Sequence, residues 1–274
     1  MLGVHISDAE LELLIADLHD IYGYDFSDYS RASLKRRFER LYLMDKYLSL
    51  AEMRYRIRME PDYLKRVVEE ITVNVTEMFR DPAFYKTLRN EVLPHLATHH
   101  FIRIWHAGAS TGEEVYSMAI MLHEANLLHK SLIYATDINP SVLETARKGI
   151  FPLAKMKQYS ENYIASGGQK DFSTYYSANY GNAKFDEELN KRIIFATHNL
   201  VSDQTFNEFQ LIVCRNVLIY FDKALQDRVF QLFNDSLDTF GFLALGTKET
   251  LKFSSVIRTF KLFKPGEKIW RKTI

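Results

Sequence analysis

Two hydrophobic patterns divide the chain, and the change falls near residue 100. Before it, apolar residues recur three and four positions apart, the spacing of an amphipathic helix. Ser7 followed by Glu10 is a capping-box pattern, which favours a helix start at that point. Helices are predicted over about 7–22, 31–45, 50–59 and 62–71. Residues 1–72 are therefore expected to form a small all-helical domain.

After residue 100, short apolar runs alternate with helical segments. The predicted strands are Ile102–Ala107, Leu132–Thr136, Ile193–Thr197, Phe209–Val213 and Phe242–Leu245. The predicted helices lie at about 112–127, 140–148 and 223–238. Such alternation indicates an α/β domain, over 73–274, built on a doubly wound parallel sheet with helices on both faces. Two late runs, 260–263 and 268–271, flank a turn and predict a hairpin at the sheet edge.

Residues 151–192 interrupt the alternation. This stretch is polar and rich in tyrosine, and it contains the pair Gly167-Gly168. About 40 residues is too long for a plain connection between two strands of one sheet. We interpret it as an inserted subdomain or a lid.

Composition narrows the class of protein. Lys plus Arg equals Asp plus Glu, at 35 each, so the chain lacks the basic excess of a nucleic-acid binder. A single cysteine, Cys214, excludes an internal disulfide and fits a reducing compartment. Neither a signal peptide nor a run of about 20 apolar residues is visible, so we expect a cytoplasmic protein without direct membrane insertion. The histidines show no metal-binding spacing, and we expect no metal.

Charge is unevenly distributed near the start of the chain. Residues 1–30 carry seven acidic residues and no Lys or Arg, whereas residues 31–66 carry eleven basic residues against five acidic ones. The predicted second helix presents a basic side formed by Arg31, Lys35, Arg36, Arg37 and Arg40. This side is either an electrostatic docking face or a solvated surface that pairs with the chain's own acidic neighbour.

The segment Ile104–Ser117 reads as a strand, a glycine turn and a helix start. Gly108 ends the strand and leaves room for a ligand, at the sheet edge where such folds bind ligands. The loop has neither the GxGxxG pattern nor the ending of a phosphate loop. Glu113 and Glu114 would repel a pyrophosphate but could accept hydrogen bonds from an amino-bearing ligand. A plain strand-to-helix turn with an acidic first turn is the alternative.

The next strand ends in Asp137, 29 residues after Gly108. An acidic residue at this place can hold the ribose hydroxyls of an adenosine-containing cofactor. It could equally cap the following helix, but Asn139, directly before Pro140, can serve as that cap and leave Asp137 free.

Asparagines follow the next two strands, at Asn199 and Asn216. Each could bind an adenine edge or the amino acid part of a cofactor, or simply form a turn. Cys214 is interpreted as a small apolar residue, since no base accompanies it. Ahead of the sheet, Thr72–Arg80 would line three polar side chains on one side if it is extended.

Taken together, five segments resemble the chemotaxis receptor glutamate methyltransferases of the CheR type. They are TxNxTxxFR from Thr72, GxSxGEExYS from Gly108, ATDIxxxxLxxA from Ala135, HNL from His198 and CRNVLIYF from Cys214. The resemblance covers nearly the whole chain, from Ser7 to Lys272. It implies a helical N-terminal domain, a Rossmann-like S-adenosylmethionine-dependent methyltransferase domain and an inserted β-subdomain.

The resemblance also implies roles for individual residues. Those that contact S-adenosylmethionine, and its product S-adenosylhomocysteine, are Asn74, Thr76, Arg80, Gly108, Glu114, Asp137, Asn199, Leu200, Asn216 and Val217. Glu114 would bind the amino acid end of the cofactor and Asp137 its ribose. Arg80 and Tyr220 correspond to residues placed near the reactive methyl group, and they are the catalytic candidates. For Arg80, a structural ion pair with Glu113 or Glu114 is the alternative.

The function that the resemblance implies is methyl transfer from S-adenosylmethionine to glutamate side chains of chemotaxis receptors. The partner would be the helical bundle of the receptor's cytoplasmic part, met by the basic helix, and we expect a monomer. Two alternatives share the same cofactor motifs: a methyltransferase for another protein substrate, and a cofactor-binding regulatory module without catalysis.

Overall fold

The computed structural model describes residues 5–72 and 76–274, and these fall into two compact units. One comprises residues up to 72 together with Ile219–Arg228, and the other comprises residues from 76 to 218 together with Val229–Ile274. Helices and strands are numbered in chain order.

The first unit is helical. Its helices are α1 (Asp8–Tyr22), α2 (Arg31–Met44), α3 (Leu50–Met59) and α4 (Pro61–Ile71). The predicted capping box is present, because the Ser7 side chain accepts from the Glu10 amide and the Glu10 side chain accepts from the Ser7 amide. Gly23, at φ 74°, ends α1 in a left-handed conformation. The predicted inward residues of α2, Leu34, Phe38 and Leu41, are buried.

The segment Ile219–Arg228 packs within this helical unit. Tyr29 and Phe221 form an antiparallel β-bridge, and their rings lie 4.8 Å apart edge to face. The Ser30 amide donates to the Tyr220 carbonyl at 2.8 Å, and the Asp222 amide donates to the Asp28 carbonyl at 3.0 Å. The backbone of Tyr220 is thus fixed by residues of the helical unit.

The second unit is built on a seven-stranded sheet, as the alternating pattern predicted. Its strands are β1 (Ile102–Ala107), β2 (Ser131–Asp137), β6 (Ile193–Thr197), β7 (Phe209–Cys214), β8 (Leu237–Leu245), β9 (Phe260–Lys264) and β10 (Ile269–Lys272). They run in the order β6-β2-β1-β7-β8-β10-β9. The first five are parallel, and the predicted hairpin, β9 with β10, adds two antiparallel strands beside β8.

Helices connect these strands. They are α5 (Pro82–Thr87), α6 (Leu93–Leu96), α7 (Glu113–Glu124), α8 (Pro140–Lys148), α10 (Glu187–Asn190) and α11 (Lys223–Ser236), with a π-helical turn, Leu88–Val92, between α5 and α6. Two predicted bounds were wrong. The strand expected from Phe242 begins at Leu237, and the helix expected to reach residue 238 therefore ends at Ser236.

The insertion after α8 has its own small sheet. Strands β3 (Ile150–Pro152), β4 (Tyr176–Asn179) and β5 (Asn182–Phe185) pair antiparallel in the order β3-β5-β4, and α9 (Met156–Ala165) lies between β3 and β4. Although the sequence is polar, Tyr159, Tyr163 and Tyr175 are buried. Three of the five tyrosines in this stretch therefore belong to its core, whereas Tyr180 is exposed.

One buried carboxylate ties the insertion to α7. Glu124, whose side chain is 5% exposed, forms an ion pair with Arg89 and accepts hydrogen bonds from the hydroxyls of Tyr163 and of Tyr175, the latter at 2.8 Å. Burial alone would raise the pKa of Glu124, but these three partners together lower it. The carboxylate is therefore ionised at neutral pH and stabilises the fold there.

Glu124→Gln should destabilise the protein, because the amide keeps the shape but loses the charge that three donors share. We expect a loss of about 1.5–3 kcal/mol in the free energy of unfolding, measured in urea at pH 7. The matched control is Glu188→Gln, since Glu188 pairs with Lys191 on an exposed surface. An equal shift of the unfolding midpoint in both variants would contradict a structural role for the buried carboxylate.

Candidate active site

The loop after β1 begins with Gly108, which a residue with a Cβ atom could replace only if the neighbouring Val217 moved. Gly108 has φ 79°, and a Cβ atom built on it would lie 2.4 Å from Cγ2 of Val217. Its amide and that of Ala109 donate to the Thr136 carbonyl at 2.9 and 2.8 Å. The structure thus brings together the turns after β1 and β7, the edge at which ligands bind in such sheets.

Asp137, at the end of β2, is oriented by two backbone amides. The amide of Ser110 donates to one carboxylate oxygen at 2.9 Å, and the amide of Asn139 donates to the other at 3.0 Å. Burial raises the pKa of Asp137. Asn139 caps α8 by accepting from the Ser141 amide at 3.0 Å, so Asp137 is not the helix cap.

Two polar groups beside Asp137 are buried and have no hydrogen-bond partner among residues 5–72 and 76–274. They are the Ser110 hydroxyl and the Asn139 side-chain NH₂ group. Such groups are rarely left unsatisfied in a folded protein. With the Asp137 carboxylate they offer donors and acceptors that suit the hydroxyls of a ribose. The residues present therefore fit an adenosine-containing cofactor.

Glu114, at the start of α7, is held by a buried cation that the sequence pattern did not indicate. Arg215 donates to it at 2.7 Å, and His106 Nδ1 lies 3.4 Å from its other oxygen. Burial raises the pKa of Glu114, but the charge of Arg215 and the contact with His106 outweigh this and lower it to about 2. Glu114 is thus a permanent anion at neutral pH, already engaged within the protein.

Arg215 also fixes the segment that carries Arg80. Its guanidinium donates to the Asp81 carboxylate at 2.6 Å and to the Arg80 carbonyl at 3.3 Å, and it lies 4.1 Å from the centre of the Phe84 ring. The side chain of Arg215 is only 2% exposed. Sequence reasoning missed this residue next to Asn216, because a lone arginine at a strand end does not indicate which residues it pairs with.

Backbone strain flanks Arg80 on both sides. Phe79 has φ 52° and Asp81 has φ 60°, a region that costs non-glycine residues of the order of 1–3 kcal/mol each. The Phe79 amide is satisfied by the Ser117 hydroxyl at 2.9 Å. Strain of this kind persists only where the surroundings enforce it, so the position of Arg80 is determined by its neighbours.

The inserted helix α9 braces the same segment. Asn162 donates to the Met78 carbonyl at 3.0 Å, and the ring of Tyr163 packs edge-on at 5.2 Å against that of Phe79. Tyr159 donates to Glu113 at 3.3 Å. The insertion therefore supports both the Arg80 segment and the first turn of α7.

The remaining cofactor candidates have varied surroundings. Asn199 forms a turn, because its side-chain oxygen accepts from the Val201 amide at 2.9 Å, and Leu200 beside it is half-buried. Asn216 and Val217 are half-buried after β7, and Thr76 is half-buried ahead of the sheet. Asn74 lies outside the described residues. Cys214 is fully buried, and burial raises the pKa of its thiol, which fits the small apolar role predicted for it.

Most of the basic residues of α2 pair with acidic residues of the same unit. Ion pairs join Arg31 to Glu12 at 2.8 Å, Lys35 to Asp8 at 2.7 Å and Arg40 to Glu70 at 3.0 Å. The charge distribution left open whether these basic residues pair with acidic residues of the same chain, and these three do. Arg36 is exposed and has no ion pair among residues 5–72 and 76–274, and Arg37 is half-buried.

Sequence comparison decides the family. Residues 74–265 match the description "CheR methyltransferase, SAM binding domain", and residues 9–72 match "CheR methyltransferase, all-alpha domain". The chain belongs to the CheR methyltransferase family. It is an S-adenosylmethionine-dependent methyltransferase, as the five sequence motifs indicated, with the expected Rossmann-like fold, helical N-terminal domain and inserted β-subdomain.

Full-length relatives support the assignment. The Pseudomonas putida protein Cher3 is 46% identical to this chain, over 97% of this chain and 98% of its own length. It is described as a methyltransferase only provisionally. The chemotaxis protein methyltransferase 2 of Pseudomonas aeruginosa is 35% identical over 83% of this chain and 79% of its own. The chemotaxis protein methyltransferase of Salmonella typhimurium is 31% identical over 94% of this chain and 88% of its own.

Two further observations concern the described part of the chain. It contains no helix that is both long and apolar enough to cross a bilayer. Residues 5–72 and 76–274 also contain no group of three or more His, Cys, Asp or Glu side chains arranged to hold a metal ion.

Gly108→Ala should abolish or strongly weaken cofactor binding by this methyltransferase. The added methyl group must displace Val217, and alanine must also adopt φ 79°, so we expect the Kd for S-adenosylhomocysteine to rise at least about tenfold in calorimetric titration. Gly181→Ala is the control, since Gly181 has a similar φ of 75° but no atom within 4 Å of an added Cβ. Equal Kd values for Gly108→Ala and wild type would show that this turn does not approach the cofactor.

Proposed function

We propose that this enzyme esterifies glutamate side chains on the cytoplasmic helical bundle of a chemotaxis receptor. The proposal rests on the family membership together with the position of Arg80. The strained segment that carries Arg80 is fixed by its neighbours, and Arg215 links it to the edge of the sheet that Gly108 leaves open for a ligand. The named function of the relatives from Salmonella typhimurium and Pseudomonas aeruginosa supports the receptor as substrate.

The cofactor would be held by the residues described above. Gly108 opens the space, Asp137 accepts from ribose hydroxyls, and Ser110 and Asn139 contribute their unpartnered polar atoms. Asn74, Thr76, Arg80, Asn199, Leu200, Asn216 and Val217 complete the proposed contacts. Glu114 already forms an ion pair with Arg215. We propose that the acceptor sites left on its carboxylate bind the amino acid end of the cofactor.

The chemistry asks little of the protein beyond placement. S-adenosylmethionine, when bound, supplies a methyl group that is already activated by the positive sulfur. A glutamate side chain, with a pKa of about 4.3, is an anion at neutral pH and needs no general base. Its carboxylate oxygen forms the new bond to the methyl carbon while the bond from that carbon to sulfur breaks, which leaves a methyl ester and neutral S-adenosylhomocysteine.

Arg80 and Tyr220 are the proposed catalytic residues. Arg80 would orient the substrate carboxylate by its fork of N–H donors, and Tyr220 would help to align it. The carbonyl of Arg80 is held by Arg215, and that of Tyr220 by the Ser30 amide, so both backbones are positioned independently of substrate.

The alternatives remain a methyltransferase for another protein substrate and a non-catalytic regulatory module. We further propose that the protein is a cytoplasmic monomer, since its proposed substrate is the cytoplasmic part of the receptor.

Arg80→Ala should lower turnover, because it removes the group proposed to orient the substrate carboxylate. With labelled S-adenosylmethionine and a receptor cytoplasmic fragment, we expect wild-type enzyme to incorporate label and kcat to fall on the order of 100-fold in the variant. Arg80→Lys keeps the charge but loses the fork of N–H donors, so its kcat should lie between those of the wild type and Arg80→Ala. Normal turnover in Arg80→Ala would remove this residue from the catalytic role. Absence of incorporation by wild-type enzyme that binds S-adenosylhomocysteine would favour the alternatives.

Arg36 should contribute more to receptor docking than Arg31, because only Arg31 is already neutralised by an acidic residue of its own unit. We expect Arg36→Ala to lower kcat/KM for the receptor fragment several-fold at low ionic strength, and the effect to fade above about 0.3 M salt. Arg31→Ala, measured in parallel, should have a smaller effect. If the two variants behave alike, or if salt makes no difference, the basic side of α2 is not a docking face.

A further inference from the structure

A buried carboxylate lies where β7 and β8 end, and the proposed mechanism does not use it. The two strands are parallel neighbours, with Cys214 opposite Leu245 at their ends. The chain after β8 turns tightly, since the Glu249 amide donates to the Gly246 carbonyl at 2.9 Å. This turn directs the Glu249 side chain into the loop that follows β7.

Four backbone amides donate to this one carboxylate. Val217 and Leu218 donate to Oε1 at 2.9 and 2.8 Å, and Gly246 and Asn216 donate to Oε2 at 2.6 and 3.1 Å. Glu249 is only 5% exposed. Three consecutive amides of one loop are thus satisfied by a single side chain that comes from another loop.

The arrangement compensates for a strained backbone. Asn216 has φ 61°, a conformation that a non-glycine residue adopts at a cost. The bonds from Asn216, Val217 and Leu218 to Glu249 offset that cost and define the direction of the loop. Gly246 completes the arrangement, because a Cβ atom there would lie 2.7 Å from the Glu249 carboxylate and 2.9 Å from the Asn216 amide.

The loop held in this way is part of the proposed cofactor site. Val217 packs against Gly108, which opens the other side of that site, so a shift of the loop would close or widen the space at Gly108.

We propose that Glu249 is a positioning residue for cofactor binding. It fixes Asn216, Val217 and Leu218 in their binding conformation before the cofactor arrives. The proposal rests on the assignment of Asn216 and Val217 to the cofactor site under the proposed function. Preorganisation of this kind lowers the free-energy cost of ordering the loop on binding.

Hydrogen exchange on the wild-type protein tests the arrangement without any substitution. In the absence of cofactor, the amides of Asn216, Val217 and Leu218 should be protected about 100-fold or more, because all three are bonded to a buried acceptor. Fast exchange of these amides in the unliganded protein would overturn the proposal, since the loop would then be ordered by the cofactor itself.

Glu249→Gln tests the consequence for binding. A glutamine presents an NH₂ group in place of one carboxylate oxygen, so two of the four amides lose their acceptor. We expect the Kd for S-adenosylhomocysteine to rise roughly tenfold or more, with a smaller change in kcat at saturating cofactor. Gly246→Ala keeps the charge but crowds the same bonds, and it should weaken binding in the same direction even if Glu249→Gln does not fold.

Asp17→Asn is the matched control, because it makes the same chemical change at a buried carboxylate of the helical unit, where Asp17 accepts from Arg54 at 2.6 and 3.0 Å. It should lower stability and leave the Kd unchanged. If Glu249→Gln or Gly246→Ala also lowers stability without changing the Kd, Glu249 is a structural residue only and the proposal is wrong. These binding assays need no receptor, so an incorrect substrate assignment would not affect them. A wild-type protein that binds no S-adenosylhomocysteine would instead reject the proposed function.

Discussion

The guanidinium of Arg215 is the interaction on which the second unit's ligand edge depends. It joins the carboxylate of Glu114, at the start of α7, to that of Asp81 and to the carbonyl of Arg80. Because the cation is buried, removing it would leave the largely buried Glu114 carboxylate without this partner, a loss that typically costs about 3–5 kcal/mol. Glu114 follows the loop after β1, and Arg215 belongs to the loop after β7. The ion pairs therefore couple the proposed cofactor loop to the segment that carries the proposed catalytic arginine.

Among the described residues of the second unit, eight non-glycine residues have a left-handed conformation, and the four in the motif segments are compensated by hydrogen bonds. The left-handed non-glycine residues of the motif segments are Phe79, Asp81, Ser110 and Asn216. Their hydrogen-bond partners are, in the same order, Ser117, Arg215, Asp137 and Glu249. Each partner comes from a different part of the chain, so folding of the sheet has to be complete before these conformations are stable. A site built in this way is ordered before ligand binds, as a methyl transfer that relies on alignment requires.

The sequence predicted the fold well because its periodicity was strong. Alternating apolar runs indicated the parallel strands, and the late hairpin was visible from two runs that flank a turn. The start of β8 was missed because Leu237–Gly241 resembles a continuation of the preceding helix. The insertion was recognised by its length, but its core was not predicted. The rings of Tyr159, Tyr163 and Tyr175 are buried there, and the hydroxyls of Tyr163 and Tyr175 donate to Glu124.

The chemistry of the site was only partly predictable. Gly108 and Asp137 could be found because a glycine and an acidic residue at the ends of neighbouring buried strands are typical of a cofactor site. Arg215 and Glu249 could not, because Arg215 lies 101 residues from Glu114 and Glu249 lies 33 residues from Asn216, and no local pattern indicates such pairs. Likewise, the charge of α2 indicated a docking face or self-pairing, and only coordinates could show that Arg31, Lys35 and Arg40 pair internally.

Transfer of the methyl group to a carboxylate oxygen, by alignment alone, is the step on which the proposed function depends. The chemical nature of the product tests it most directly. After labelled methyl transfer to a receptor cytoplasmic fragment, mild base should release the label as volatile methanol, because a carboxyl methyl ester hydrolyses under those conditions. Label that stays on the protein in base would place the methyl group on nitrogen or another stable site and would contradict esterification.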